Sequence, residues 1–181
     1  MPSAGRAGGR WRGLIVAIYN RRMATLTLFS GGAEATRQLG AALGRVLRPG
    51  SLILLDGPLG AGKTTLAQGI AAGLGVTEPV VSPSFTLVRE YVCAAGQRLV
   101  HMDFYRLSGN REVVDLGIED YLGTEDIVVI EWPERAGHLG CATIRVSLAP
   151  DGNHRRITIT LEADGESARA LREAVNPWAT P

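Results

Sequence analysis

Apolar residues along the chain recur with two periods, and the switching between them predicts an α/β fold. Thr25 to Phe29 alternates β-branched and apolar residues as a short strand does, and Ser30-Gly31-Gly32 turns it into a helix. Leu39, Leu43, Val46 and Leu47 share a helical spacing until Pro49-Gly50 stops it. Ser51 to Asp56 carries the unbroken run Leu52-Ile53-Leu54-Leu55, the signature of a strand covered on both faces. Leu66, Ile70 and Leu74 then lie four residues apart on one helix face, with Gly75 as the stop. Phe85 to Val92 and Arg98 to Phe104 read as two strands joined around Ala95-Gly96, and residues 110–122 as one or two short helices. Ile127 to Ile130 is a second fully apolar strand, ended by Glu131-Trp132-Pro133. Thr143 to Leu148 and Arg156 to Glu162 alternate about Asp151-Gly152-Asn153 as a terminal hairpin, and Ser167 to Val175 forms a last helix that Asn176-Pro177 ends. Together these elements predict a mainly parallel central sheet with an antiparallel C-terminal hairpin.

Composition adds limits. With 181 residues, 45% of them hydrophobic, the chain can bury one sizeable core and no second full domain. The net charge of +1 hides an asymmetry: residues 1–22 hold five arginines and no acid, which leaves 14 basic against 18 acidic residues in the body. That balance argues against a domain that grips nucleic acid by charge. Leu14 to Tyr19 is too short to span a bilayer, and Asn20-Arg21-Arg22 is no small-residue cleavage site. Residues 1–22 are therefore expected to be a disordered extension or an over-called start, with Met23 as the initiator. Cys93 and Cys141 lack partners at metal spacing and read as packed thiols of a cytoplasmic protein with no membrane association.

The candidate chemistry centres on one residue. Eighteen of the 19 basic residues are arginine, and the single lysine, Lys63, sits inside Gly57-Pro58-Leu59-Gly60-Ala61-Gly62-Lys63-Thr64. A buried strand precedes this motif and an amphipathic helix follows, the setting of a P-loop, so the fold class is a three-layer P-loop NTPase-like α/β fold. The glycines turn backbone N–H groups towards phosphates, and the helix N-terminus adds partial positive charge. Lys63 would bridge the β and γ phosphates, where a compact ammonium fits better than a planar guanidinium, and the Thr64 hydroxyl would ligate Mg2+. The metal also needs a carboxylate at a neighbouring strand end. Glu131, after four apolar residues, is the candidate, with Asp103, after Leu99-Val100-His101-Met102, as a neighbouring or water-positioning group. The loop Ser82-Pro83-Ser84-Phe85-Thr86 offers hydroxyls that could sense a γ phosphate. Of the histidines, His138 and His154 read as structural or surface residues and His101 lies close to the site. A chain with one lysine, already in the P-loop, has no Asn-Lys-x-Asp guanine motif, which makes ATP the expected nucleotide.

Four segments in order, Leu59-Gly60-Ala61-Gly62-Lys63-Thr64-Thr65, Ser82-Pro83-Ser84-Phe85-Thr86-Leu87-Val88, His101-Met102-Asp103-Phe104-Tyr105-Arg106-Leu107 and Ile130-Glu131-Trp132-Pro133-Glu134, resemble the bacterial TsaE ATPases over residues 24 to about 150. The resemblance implies a role in making threonylcarbamoyladenosine beside the anticodon of tRNA. It implies TsaD and TsaB as protein partners, with tRNA met only through their complex. It also implies a weak Mg2+-dependent ATPase with Leu59 to Thr65 and Thr86 at the nucleotide, Ala33 to Thr36 near the adenine, Thr64 and Glu131 at the metal, and Lys63, Asp103 and Glu131 in catalysis. Ser84 stands where the family often has threonine, which keeps the hydroxyl. The expected organisation is an ATPase domain over residues 23–162 followed by a C-terminal helix and tail over 163–181. Arg106 and Arg135 are the nearest arginines in sequence for a catalytic role, with surface ion pairs as their ordinary alternative. A small-molecule kinase and a nucleotide-gated adaptor with incidental hydrolysis share the P-loop and stand as alternatives.

Overall fold

A computed structural model describes residues 23–137, 139, 144–162 and 165–179. The expected extension over residues 1–22, His138, Cys141 and the first residue of the expected Thr143 strand lie outside these. Seven strands form one sheet: β1 (Met23–Ser30), β2 (Leu52–Asp56), β3 (Val88–Val92), β4 (Arg98–Asp103), β5 (Ile127–Glu131), β6 (Ile144–Asp151) and β7 (His154–Glu162), in the order β1-β7-β6-β2-β5-β4-β3. The expected antiparallel C-terminal hairpin is β6-β7, but the sheet is less parallel than expected: the ladders β6-β2, β2-β5 and β5-β4 are parallel, whereas β1-β7, β7-β6 and β4-β3 are antiparallel. The parallel part is confined to the four central strands because hairpins extend both margins. A tight connection reverses the chain between neighbouring strands and cannot make a parallel pair. The strand expected from Phe85 begins only at Val88, since residues 84–86 form a turn closed by the Leu87 amide on the Pro83 carbonyl.

Alternation along each central strand feeds two cores. In β2, Ile53 and Leu55 face the side of α1 (Ala33–Gly44), α2 (Lys63–Gly73) and α4 (Gly165–Val175), while Leu52 and Leu54 face the side of the short helix α3 (Asn110–Asp115) and the 3-10 turns at Ile118–Asp120 and Pro133–Ala136. Strands buried on both faces need no polar alternation, which explains the unbroken apolar runs. The sheet with helices on both faces gives three layers.

Two features fix α2. Its end at Gly75 is a Schellman motif, in which the Gly75 and Val76 amides bond the Ala72 and Ala71 carbonyls with Gly75 at φ +77°. Its flank carries Gly69 and Gly73 against Gly40 and Gly44 of α1, where a Cβ on any of the four would overlap a backbone carbonyl of the facing helix. The two helices thus pack backbone to backbone. At the C-terminus, Leu171 and Val175 of α4 join the core, and Ala179 bridges to Leu28, partly covering the outer edge of β1. No helix among the described residues is long and apolar enough to cross a membrane.

Candidate functional site

The C-terminal ends of β2, β5 and β4 lie side by side, with Leu55 in register with Glu131 and Glu131 in register with Asp103. Open α/β sheets place ligands at this edge. His101, Asp103 and Glu131 occupy alternate positions of their strands and are 0%, 2% and 2% exposed. Burial of two carboxylates side by side would be costly without donors, and each has its own set. Glu131 accepts through Oε2 from the Thr64 hydroxyl at 3.1 Å and through Oε1 from His101 Nε2 at 3.0 Å. Asp103 accepts through Oδ2 from Ser82 Oγ at 2.9 Å and from Ser84 Oγ, and through Oδ1 from the Tyr105 amide at 2.9 Å. The first set ties a strand end to α2, and the second ties the 82–84 loop to the sheet.

Above these carboxylates runs the glycine loop. Gly57, Gly60 and Gly62 have φ of +139°, +78° and +102°, conformations that side chains with a Cβ disfavour. Gly57 has a second reason to be glycine, because a Cβ there would overlap the Leu148 carbonyl oxygen of β6. Lys63 opens α2 and folds back over the loop, donating to the carbonyls of Gly57 at 2.6 Å and Pro58 at 3.0 Å. The Trp132 ring covers it, with Nζ 3.7 Å from the ring centroid, and Tyr105 packs on Trp132 at 4.9 Å. Burial lowers the Lys63 pKa from its ordinary 10.5, outweighing the opposing pull of Glu131, Glu134, Asp103 and Asp56. Among the described residues the lysine's donors meet neutral carbonyls and a ring, and a buried cation so placed is poised for an anion. Trp132 sits at φ +58°, which costs about 1–2 kcal/mol for a bulky residue, and its amide reaches the Leu55 carbonyl across the strand ends.

The cleft between loop and carboxylates has a volume of about 260 Å³. Of the residues expected at the nucleotide, Leu59, Gly60, Gly62, Lys63, Thr64 and Thr65 line it, together with Asp103 and Glu131, while Ala61 is buried behind the loop. Three others are elsewhere. Thr86 is exposed at the tip of its turn, and Ser82 and Ser84 supply the hydroxyls at the cleft wall. Ala33 is exposed on the first turn of α1, and the Thr36 hydroxyl is used up in a buried bond with Ser30 Oγ at 2.7 Å and another to the Gly32 carbonyl at 3.0 Å. The β1-α1 turn still lies near the loop's flank, since a Cβ on Gly31 would stand 3.7 Å from Nδ1 of His154, the first residue of β7, which shares a hollow with Gly60 and Ala61.

Arg155 is the cleft arginine that sequence reasoning missed. Its guanidinium group lies against Gly62, with Nε 3.1 Å from where a Cβ would be. It is distant from the loop in sequence and reaches it only because the hairpin folds over. Arg106, nearer in sequence, lies over the exposed Phe85 ring at 4.2 Å, and Arg135 is exposed. Trp132 and Tyr105 also lacked any signal beyond their motif neighbours. Among the described residues His101 Nδ1 is buried without a hydrogen-bond partner, at a cost of about 1–3 kcal/mol, and the ring's polar contact there is the one with Glu131.

The donor set fits Mg2+. Thr64 Oγ1 and the Glu131 carboxylate are hard oxygens 3.1 Å apart, as few as Mg2+ takes from a protein when phosphates and water supply the rest. Among the described residues no three His, Cys, Asp or Glu side chains gather into a cation site by themselves, so a metal here would arrive with its phosphates.

Residues 31–170 match the family model of the threonylcarbamoyl adenosine biosynthesis protein TsaE. The chain is similar to the tRNA threonylcarbamoyladenosine biosynthesis protein TsaE of Nostoc, at 46% identity over 138 residues covering 74% of this chain and 84% of that one. It is similar to the protein of the same description from Treponema pallidum, at 41% over 133 residues and 72% and 96% coverage. In three dimensions it resembles the crystal structure of Bacillus subtilis YdiB, with TM-score 0.66, 28% identity and coverage of 86% of this chain and 97% of that one.

Proposed function

The chain belongs to the TsaE family of threonylcarbamoyl adenosine biosynthesis proteins, and on that footing we propose that it binds ATP with Mg2+ in the cleft and hydrolyses it slowly in support of a TsaB-TsaD transferase complex that modifies tRNA beside the anticodon. The fold is then of the P-loop NTPase type, and the glycine loop is its phosphate cradle. The observation that carries this reading is the meeting of Lys63 Nζ, the Thr64 hydroxyl and Glu131 at one edge of the sheet.

Each residue has a part that follows from its surroundings. Lys63, lacking an anionic hydrogen-bond partner, neutralises phosphate charge. Thr64 and Glu131 would hold Mg2+, and the chemistry it would supply there is the offsetting of phosphate charge. Asp103 braces the Ser82 and Ser84 hydroxyls at the cleft wall, where they face the reacting end of a bound triphosphate. Arg155 adds a second cation beside Gly62. P-loop hydrolysis without a supplied arginine runs at about 10⁻⁴ to 10⁻² per second, so slow turnover alone and an altered rate with TsaB and TsaD are expected.

Nucleoside mass spectrometry of tRNA from cells depleted of the protein tests the role. Threonylcarbamoyladenosine should fall on depletion and return with wild type but not with Lys63→Ala; unchanged modification overturns the reading. Glu131→Ala separates the adaptor alternative, which requires that this variant still support modification. A phosphorylated metabolite formed from ATP by the purified protein would favour the kinase.

A further inference from the structure

We propose that His101 is a positioning residue for Glu131: its imidazole pins the carboxylate so that Oε2 stays beside the Thr64 hydroxyl, and it thereby sets the affinity of the cleft for the divalent cation. The inference rests on the reading of Thr64 and Glu131 as the metal-binding pair and adds to it a residue that touches neither nucleotide nor metal. His101 lies in the middle of β4, in register with Arg89 of β3 and Val129 of β5, and is fully buried. Among the described residues one of its ring nitrogens has a partner: Nε2 is 3.0 Å from Glu131 Oε1, while Nδ1 has none there. An apolar side chain would fill the space without a stranded nitrogen. What the ring supplies beyond volume is one N–H at one oxygen of Glu131.

That N–H matters because of what holds the other oxygen. Oε2 is bonded to Thr64 Oγ1 on α2, so the carboxylate is fixed at both ends, once from the sheet and once from the helix. Without His101 the group keeps a single tether and can rotate about its Cγ–Cδ bond, separating Oε2 from the threonine oxygen that must bind the same ion. Groups that orient a metal-binding carboxylate typically alter metal affinity about 10- to 100-fold when lost.

The test compares His101→Leu, which removes the N–H, with His101→Gln, whose amide can return one to nearly the Nε2 position. For His101→Leu the Mg2+ concentration giving half-maximal ATP turnover should rise about 10-fold, with kcat lowered and metal-free ATP binding unchanged. His101→Gln should recover most of that loss. Wild-type Mg2+ dependence in His101→Leu, or equal defects in both folded variants, overturns the proposal. A second measurement needs no variant at that position. In imidazole nitrogen NMR of the wild-type protein, the buried histidine should carry its proton on Nε2, and that resonance should move with Mg2+ and ATP together and not with ATP alone. An unmoved resonance also overturns it. Glu131→Gln keeps the two readings apart: if it leaves Mg2+ dependence intact, the metal assignment itself has failed, whereas loss there with no effect of His101→Leu removes His101 alone.

Discussion

The glycine loop and the α1-α2 seam use the same residue for opposite reasons. At Gly60 a Cβ would meet nothing within 4 Å, and the residue is glycine because φ is +78°. At Gly40, Gly44, Gly69 and Gly73 the backbone is ordinary helix, and the residue is glycine because a carbonyl of the neighbouring helix occupies the place of the Cβ. One region needs freedom of conformation and the other needs absence of volume. The first shapes the loop that walls the cleft; the second locks the helix that carries Lys63 and Thr64 against α1, so the cleft has a fixed floor. Gly57 belongs to both classes, with φ +139° and the Leu148 carbonyl in the way.

Alanine substitutions break this comparison in a predictable order. Gly57→Ala meets both penalties and should cost about 4 kcal/mol in urea denaturation. Gly69→Ala meets only the overlap with the Arg37 carbonyl and regains some helix propensity, for a net loss of about 2 kcal/mol. Its folded fraction should keep the cleft geometry, so ATP turnover per folded molecule should stay near wild type. Gly60→Ala meets only the backbone penalty, about 1 kcal/mol. If Gly69→Ala proves milder than Gly60→Ala, the helix seam is looser than its geometry requires.

The loop also carries a pH signature that the seam lacks. The folded pKa of Lys63 lies below its ordinary 10.5, so the unfolded chain binds the extra proton between the two values. Stability from this group is therefore depressed at lower pH and rises as pH climbs from the lowered value to 10.5. Because Lys63 is the only lysine, carbon NMR of labelled lysine reads a single resonance, whose midpoint should lie below 10.5 in the free protein and move up when a polyphosphate binds. An ordinary midpoint would mean that the ammonium is not buried in solution. The smallest effect belongs to Gly32→Ala, where φ is extended and nothing lies within 4 Å. It should change stability by less than about 0.5 kcal/mol.

Much of this was legible along the chain, for physical reasons that differ by element. The apolar runs of β2 and β5, the loop between β2 and α2 and the carboxylate at the end of β5 are local, and local spacing carries them. The antiparallel C-terminal hairpin was legible from its alternation about a turn. The antiparallel pairing of β1 with β7 escaped, because pattern shows that a strand is half-buried or fully buried but not which distant strand lies beside it or in which direction. The 82–86 loop offers three hydroxyls in sequence, and only the turn decides that those of Ser82 and Ser84 line the cleft while Thr86 is exposed at its tip. Arg155 was missed because its neighbours in sequence are turn and strand residues, while its neighbour in space is Gly62.

The sequence by itself determined the elements and singled out the lysine and the carboxylates that line the cleft, because these depend on residue type and short-range period. Only the tertiary structure decided which groups meet. It set Glu131 between Thr64 and His101, tied Asp103 to two serines, laid Trp132 over Lys63 and pressed two glycine-bearing helices together. Those contacts join residues far apart along the chain, Thr64 and Glu131 by 67 positions. Their partners are chosen by strand register and helix packing, which no local pattern encodes.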